Sequence, residues 1–123
     1  MSRITKVIAR QVFDSRGNPT VEAEVFSNNF SSSSICPSGA STGTFEAYEK
    51  RDTNRKDYKG KSVFAAVKII NSIISKKLIN QNVHNQEKID HILIKLDGTK
   101  QKTKLGANSM LAVSMAVKNY LQK

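Results

Sequence analysis

The sequence predicts an α+β fold, a three-stranded antiparallel meander followed by a layer of about three helices. Three observations carry this. Residues 20–26 alternate apolar Val21, Ala23 and Val25 with acidic Glu22 and Glu24, the period-two pattern of a half-buried strand. Residues 62–78 instead repeat their apolar side chains at helical spacing. The strand-like segments all precede the helix-like ones, which separates the two kinds of structure rather than interleaving them.

Taken in order, residues 3–13 are rich in Ile, Val and Phe and end at Asp14-Ser15-Arg16-Gly17-Asn18-Pro19, a cluster of turn formers, so strand then turn is expected. The second strand follows. Ser27-Asn28-Asn29 signals another turn, and residues 30–36 return as a third strand, although four consecutive serines give it little apolar drive. After Pro37 comes Ser38-Gly39-Ala40-Ser41-Thr42-Gly43, small residues only, which reads as a mobile loop. Residues 44–61 are charged and irregular.

Ser62 is placed to cap a helix running to about Leu78, with Val63, Val67, Ile70 and Ile74 in register and Ala66, Ile69 and Ile73 widening the stripe. Asn85 is a plausible cap for a second helix carrying Ile89, Ile92, Leu93 and Leu96, which Asp97-Gly98 ends. A basic connector at 100–104 leads to a third helix over 107–121, whose Ala107, Leu111, Ser114 and Val117 suit close packing.

At 123 residues the chain fits one domain, and 38% apolar residues suffice for a modest core. No apolar run approaches the roughly 18 residues of a membrane span, and Met1-Ser2-Arg3-Ile4 does not open a signal peptide, so a cytoplasmic protein without a membrane partner is expected. The single cysteine, Cys36, makes no internal disulfide and agrees with a reducing compartment.

The formal charge is +10: residues 1–61 hold 10 basic and 7 acidic groups, residues 62–123 hold 10 basic and 3 acidic. Such an excess raises the question of nucleic acid. The second-half cations are all lysines, scattered and without an interleaved aromatic platform, so a nucleic-acid role is not expected.

Most motif-like features have bland readings. Gly60-Lys61-Ser62 resembles the end of a phosphate-binding loop, but Arg55 stands where that motif needs glycine. His84 and His91 fall on polar positions with no metal-binding cluster around them. The loop of Ser38, Gly39, Ala40, Ser41, Thr42 and Gly43 is different: its hydroxyls and free backbone groups suit a phosphate or a hard cation, and equally a plain linker.

Three separated segments then point the same way: Asp14-Ser15-Arg16-Gly17-Asn18-Pro19-Thr20-Val21-Glu22, Pro37-Ser38-Gly39-Ala40-Ser41-Thr42-Gly43, and Leu96-Asp97-Gly98-Thr99 leading to Lys104-Leu105-Gly106-Ala107-Asn108-Ser109. In order and spacing they closely resemble the amino-terminal domain of the enolases, the phosphopyruvate hydratases of glycolysis. The resemblance implies an enzyme that, when complete, dehydrates 2-phosphoglycerate to phosphoenolpyruvate with Mg²⁺ as cofactor and works as a homodimer. It implies that the small-residue loop closes over the active site, that Ser41 ligates the second Mg²⁺ through its hydroxyl and carbonyl oxygens, that Gly39 and Gly43 act as hinges, and that Ala40 lies near substrate. Arg16 and Glu22 become candidates for intersubunit ion pairing.

The family takes its base, its acid and the carboxylates for the first Mg²⁺ from a carboxy-terminal β/α barrel. The sequence stops at Lys123 before any of it, so no catalytic base or acid is expected in these 123 residues, and none of the turnover. The rival reading is an inactive basic binding module that retains the fold. Local departures from the family pattern are the Asn and Ser residues of 27–35, Cys36 where Val is common, and Ser62 where a second glycine is usual.

Overall fold

A computed structural model of the chain describes residues 2–28, 30–37 and 48–122, and the statements below concern these. Strands β1 (Lys6–Phe13), β2 (Pro19–Phe26) and β3 (Ser31–Ile35) form an antiparallel sheet in the order β1-β2-β3. Arg10 stands opposite Glu22, and Ala23 lies between Ala9 and Ser34. That register puts Val7, Ala9, Val21, Ala23 and Val25 on the buried face, as the alternation predicts.

The first strand is shorter than expected. Ile4 is fully buried, but its backbone pairs with another partner: Ile4 N–H donates to Gln81 O at 2.9 Å and Asn80 N–H to Ile4 O at 2.8 Å. The serine-rich third strand forms for a reason that apolar drive does not supply. Ser32 and Ser34 are buried and small enough for a helix to approach, and Ser32 Oγ donates to Ala116 O at 2.6 Å.

The helical layer covers one face of the sheet. Its first rod comprises α1 (Phe64–Ile69), one wide π turn (Ile70–Ile74) and α2 (Ser75–Leu78). At the end of the wide turn Ser75 N–H donates to Ile70 O, and Ser75 Oγ donates to the Asn71 carbonyl at 2.7 Å. This turn shifts the apolar stripe, so Ile70, Ile74 and Leu78 are fully buried while Ile73 faces solvent. The Asn71 side chain, accepting from Ala9 N–H at 2.7 Å and donating to Ala9 O at 3.2 Å, satisfies part of the exposed edge of β1.

Ser62 is not the cap the sequence suggests. Its residue is fully buried and its hydroxyl has no hydrogen-bond partner among the described residues. The first amides of α1 are instead capped from a distance, Asp52 accepting from Phe64 N–H at 2.9 Å and from Ala65 N–H at 3.2 Å.

Helix α3 (Gln86–Asp97) starts as expected, Asn85 accepting from Lys88 N–H, and ends at Gly98 in the left-handed conformation. Helix α4 (Ala107–Leu121) has the expected bounds and Val117 is buried as expected, but the rest of the core face is Met110, Ala112, Val113, Ala116 and Tyr120, whereas Leu111 is exposed and Ser114 half-buried beside α3. The alanines of α4 match the small inner residues of β2 and β3, so the longest helix lies close against the sheet. Among the described residues no helix is long and apolar enough to cross a membrane.

Candidate functional site

Of the three sequence segments that carry the family resemblance, the first and the third lie among the described residues, and both sit near the two ends of the stretch 38–47. The first is a tight turn. Asp14 Oδ1 accepts from Arg16 N–H and Asn18 N–H, both at 2.9 Å, and Gly17 adopts φ +79° to close it. The turn sets the start of β2 at Pro19, whose carbonyl accepts from Arg51 at 2.9 Å. Arg51 also donates to Lys61 O at 2.6 Å and pairs with Glu49 at 2.9 Å, so one guanidinium joins the turn, the returning chain and the approach to α1.

The outgoing end is held at Cys36. Its N–H donates to Val21 O at 2.8 Å and its carbonyl accepts from Thr20 Oγ1 at 2.6 Å. The thiol is buried. Burial, with a contribution from Glu49 against the opposing effect of Arg51, pushes it up to about 11. Cys36 therefore packs as a small apolar residue where the family commonly has Val.

The returning end is clasped by the third segment. Tyr48 N–H donates to Gln101 O at 2.8 Å and Ala107 N–H to Tyr48 O at 2.7 Å. The Asn108 amide accepts from Lys50 N–H at 2.9 Å and donates to Lys50 O at 3.0 Å, acting like one rung of a sheet from the first turn of α4. Gly106 makes room for this: at φ +90° a Cβ would stand 2.6 Å from Lys50 Cβ and 2.8 Å from Asn108 Oδ1.

Asp97 organises the connector that feeds α4. Its carboxylate accepts from Leu105 N–H at 2.7 Å, from Thr99 N–H at 2.9 Å and from the Thr99 hydroxyl. Burial acts to raise the carboxyl, but these hydrogen bonds and nearby Lys102 outweigh it and hold the group below its usual range.

Of the residues singled out from sequence, Ser38, Gly39, Ala40, Ser41, Thr42 and Gly43 lie outside the described residues. Among the described residues no three His, Cys, Asp or Glu side chains gather as a metal site. Arg16 is exposed in its turn, and Glu22 sits mid-strand on the uncovered face of the sheet. The structure does not bring these two together. Glu22 pairs with Arg10 directly across the ladder at 2.5 Å, and the same guanidinium reaches Glu24 at 2.9 Å. Sequence reading passed over Asp52, and it took Asp97, Gly106 and Asn108 only as a helix end and as part of the resemblance, without their roles in holding backbone. Asp97-Gly98 and Gly106-Ala107-Asn108 offered local signals, a helix stop and a helix start, but Asp52 offered none, and the partner of each lies elsewhere in the chain.

Comparison with known proteins gives the same answer over the whole chain. The family model for the enolase N-terminal domain matches residues 4–121. The enolase of Pelagibacter ubique is 66% identical over 123 residues, covering 100% of this chain and 29% of that protein. The Ehrlichia canis enolase is 56% identical over 120 residues, and that of Methanosarcina acetivorans 52% over 115, covering 95% and 94% of this chain and 28% and 27% of theirs. The chain thus spans under a third of the length of the curated relatives it matches. It belongs to the enolase family, and the part of that family it carries is the N-terminal domain.

Proposed function

We propose that this chain serves, together with an enolase barrel, in the Mg²⁺-dependent dehydration of 2-phosphoglycerate to phosphoenolpyruvate, contributing the loop over the active site and part of a homodimer surface. The observation that supports this most is the match across residues 4–121, which includes all three motif segments. The donor chemistry fits. Ser41 offers a hydroxyl and a carbonyl oxygen, the hard ligands that Mg²⁺ prefers, but two neutral oxygens alone make a weak site, so carboxylates from elsewhere are needed. When bound, Mg²⁺ supplies Lewis-acid stabilisation of the charge that builds on the substrate as a proton leaves carbon.

The residues of this chain bind and exclude water rather than move protons. Ser41 holds the ion, Gly39 and Gly43 supply hinge freedom, and Ala40 borders the substrate. The clamps at Cys36 and at Tyr48 and Lys50 fix where the segment leaves and returns, which limits its search for a closed position. Arg16 and Glu22 contribute to the subunit contact. No base or acid of the reaction is assigned to this chain, and by itself it is expected to be inactive.

The test is a chimera in which residues 1–123 replace the matching part of the Pelagibacter relative. It should turn over 2-phosphoglycerate. Ser41→Ala should lower kcat about a hundredfold, a loss of about 3 kcal/mol in transition-state stabilisation, with a smaller effect on KM. Near-normal kcat at saturating Mg²⁺ would refute the role of Ser41, and turnover by the isolated 123-residue chain would refute the division of labour.

A further inference from the structure

No Asp or Glu occurs between Asp57 and Glu87, a stretch that contains Lys59, Lys61, Lys68, Lys76 and Lys77 and the whole of the α1, π-turn and α2 rod. Where α2 meets α3 there is a groove of about 410 Å³, floored by Ile92 and Leu96 and rimmed by Lys77, Gln81 and Lys95. On α3, Lys88 and Lys95 lie at i and i+7 and both are exposed, extending the basic rim along the helix.

The carboxylates nearest in sequence are occupied elsewhere or lie off the groove. Asp97 is buried in its connector, and Asp90 accepts from Ser114 Oγ at 2.7 Å and from Gln86 on the α4 side. Glu87 is exposed on the first turn of α3 and does not line the groove. The ion pairs found among the described residues use Arg10, Arg51 and Arg55, and none uses a lysine of α1, α2 or α3. Among the described residues the cations at this groove are therefore without a carboxylate partner, with an apolar floor between them.

We propose that the groove between α2 and α3 is a docking site for an acidic peptide segment of a partner protein, one that places a large apolar side chain on Ile92 and Leu96 and carboxylates against Lys77 and Lys95. Charge complementarity argues for an acidic occupant. The apolar floor argues for peptide over nucleic acid: no aromatic side chain lines the groove to stack a base, and residues 62–123 contain no Arg for bidentate phosphate contact. Single lysines accept carboxylates without strict geometry, and their apolar stems extend the floor. The site does not rest on the enolase reading: of its residues only Leu96 belongs to the segments that carry that reading, and it enters the groove as an apolar side chain.

The experiment is a fluorescence-anisotropy titration of the 123-residue chain with three labelled probes: a 12-residue peptide of repeating Asp-Glu-Leu, a 12-residue poly-glutamate, and a 12-nucleotide oligothymidylate. The Asp-Glu-Leu peptide should bind saturably and at least fivefold tighter than either other probe, with affinity falling as salt rises. The double variant Lys77→Glu with Lys95→Glu should weaken it at least tenfold. Lys104→Glu with Lys118→Glu, the same change in net charge on other surfaces, should weaken it less than threefold. Lys77→Gln with Lys95→Gln, expected to lose about half the effect in log units, guards against misfolding of the charge-reversed protein. Equal weakening by both charge-reversed pairs, tighter binding of the oligothymidylate, or no saturable binding of the peptide would each overturn the proposal.

Discussion

Replacing Ser62 by Ala should stabilise the protein, against the usual direction for a substitution at a fully buried position. The Ser62 hydroxyl lies in the interior without a hydrogen-bond partner among the described residues, so folding removes it from water and returns nothing. An unsatisfied buried polar group costs about 1–3 kcal/mol. Removing Oγ relieves that cost and leaves a small void, which sets the expected gain near the lower end, about 1–2 kcal/mol. The Ser62 carbonyl still accepts from Asp52 N–H at 2.8 Å, and the backbone there is not left-handed, so Ala fits without strain. Ala should also exceed Gly, the usual family residue, because Gly gives the unfolded chain more freedom, worth about 0.4–1 kcal/mol. For a domain of this size the gain corresponds to a Tm increase of roughly 3–8 °C. Urea unfolding should show a higher midpoint with an unchanged slope. Ser32→Ala is the control with the opposite sign: its buried hydroxyl donates to Ala116 O at 2.6 Å, and its loss should cost about 1 kcal/mol. If Ser62→Ala proved less stable than the wild type, the hydroxyl would have a partner and the reasoning would fail.

Three further outcomes follow from the same geometry. Asp97→Asn should destabilise by about 2–3 kcal/mol at neutral pH, because an amide cannot accept from both Leu105 N–H and Thr99 N–H as the carboxylate does. With its pKa lowered on folding, Asp97 stabilises above the unfolded carboxyl value near 4 and loses that contribution as pH falls through the folded value. The gap between wild type and variant, measured by urea unfolding, should therefore narrow toward pH 3 and would argue against this role if it stayed constant. The Cys36 thiol, raised to about 11, should resist a thiol reagent at pH 8 until urea unfolds the chain, and stability should decline as pH climbs from 9 toward 11, where the unfolded thiol ionises first; prompt labelling of the folded protein would contradict its burial. Gly106→Ala should cost roughly 2 kcal/mol or more and loosen the Tyr48 to Lys50 clasp, seen as faster amide exchange at Lys50, whereas unchanged exchange would mean the close approach is not needed.

What could be read from sequence divides by the range of the interactions involved. Val21, Glu22, Ala23, Glu24 and Val25 report their strand because alternate side chains face alternate environments, a relation complete within seven residues. Asn85 and Gly98 bound α3 for the same reason, since a cap and a left-handed stop act within one helical turn. The errors fall where the deciding partner is remote. Ser62 has the composition of a cap, yet Asp52 arrives from ten residues upstream and takes the α1 amides. The stripe on α1 and α2 would hold in a regular helix, but one wide turn moves Ile73 out to solvent. On α4 the predicted Ser114 lies beside α3, bonded to Asp90, and Leu111 is exposed, while the sheet selects the side with Ala112 and Ala116, where β3 turns the small Ser32 and Ser34 inward.

The candidate site divides in the same way, and this bears on how its motifs should be interpreted. Short strings such as Gly106-Ala107-Asn108 and Leu96-Asp97-Gly98-Thr99 are recognisable, yet what each does depends on Lys50, Tyr48 and Leu105 meeting it in space. Their chemistry is that of backbone capture: an amide and a carboxylate satisfying main-chain groups, and a glycine yielding room. None is suited to moving a proton, since Asp97 is buried and held ionised by hydrogen bonds and Asn108 does not titrate. The described residues of the first and third segments hold backbone in place on either side of the stretch 38–47, which is the arrangement that the proposed positioning role requires. That is why the Ser41 chimera and the Gly106 variant test different things. The first removes a ligand atom and leaves the frame, and the second disturbs the frame and leaves the ligand. If positioning is the domain's contribution, Gly106→Ala in the active chimera should lower kcat while added Mg²⁺ fails to restore it, whereas a weakened ion site would respond to Mg²⁺ concentration.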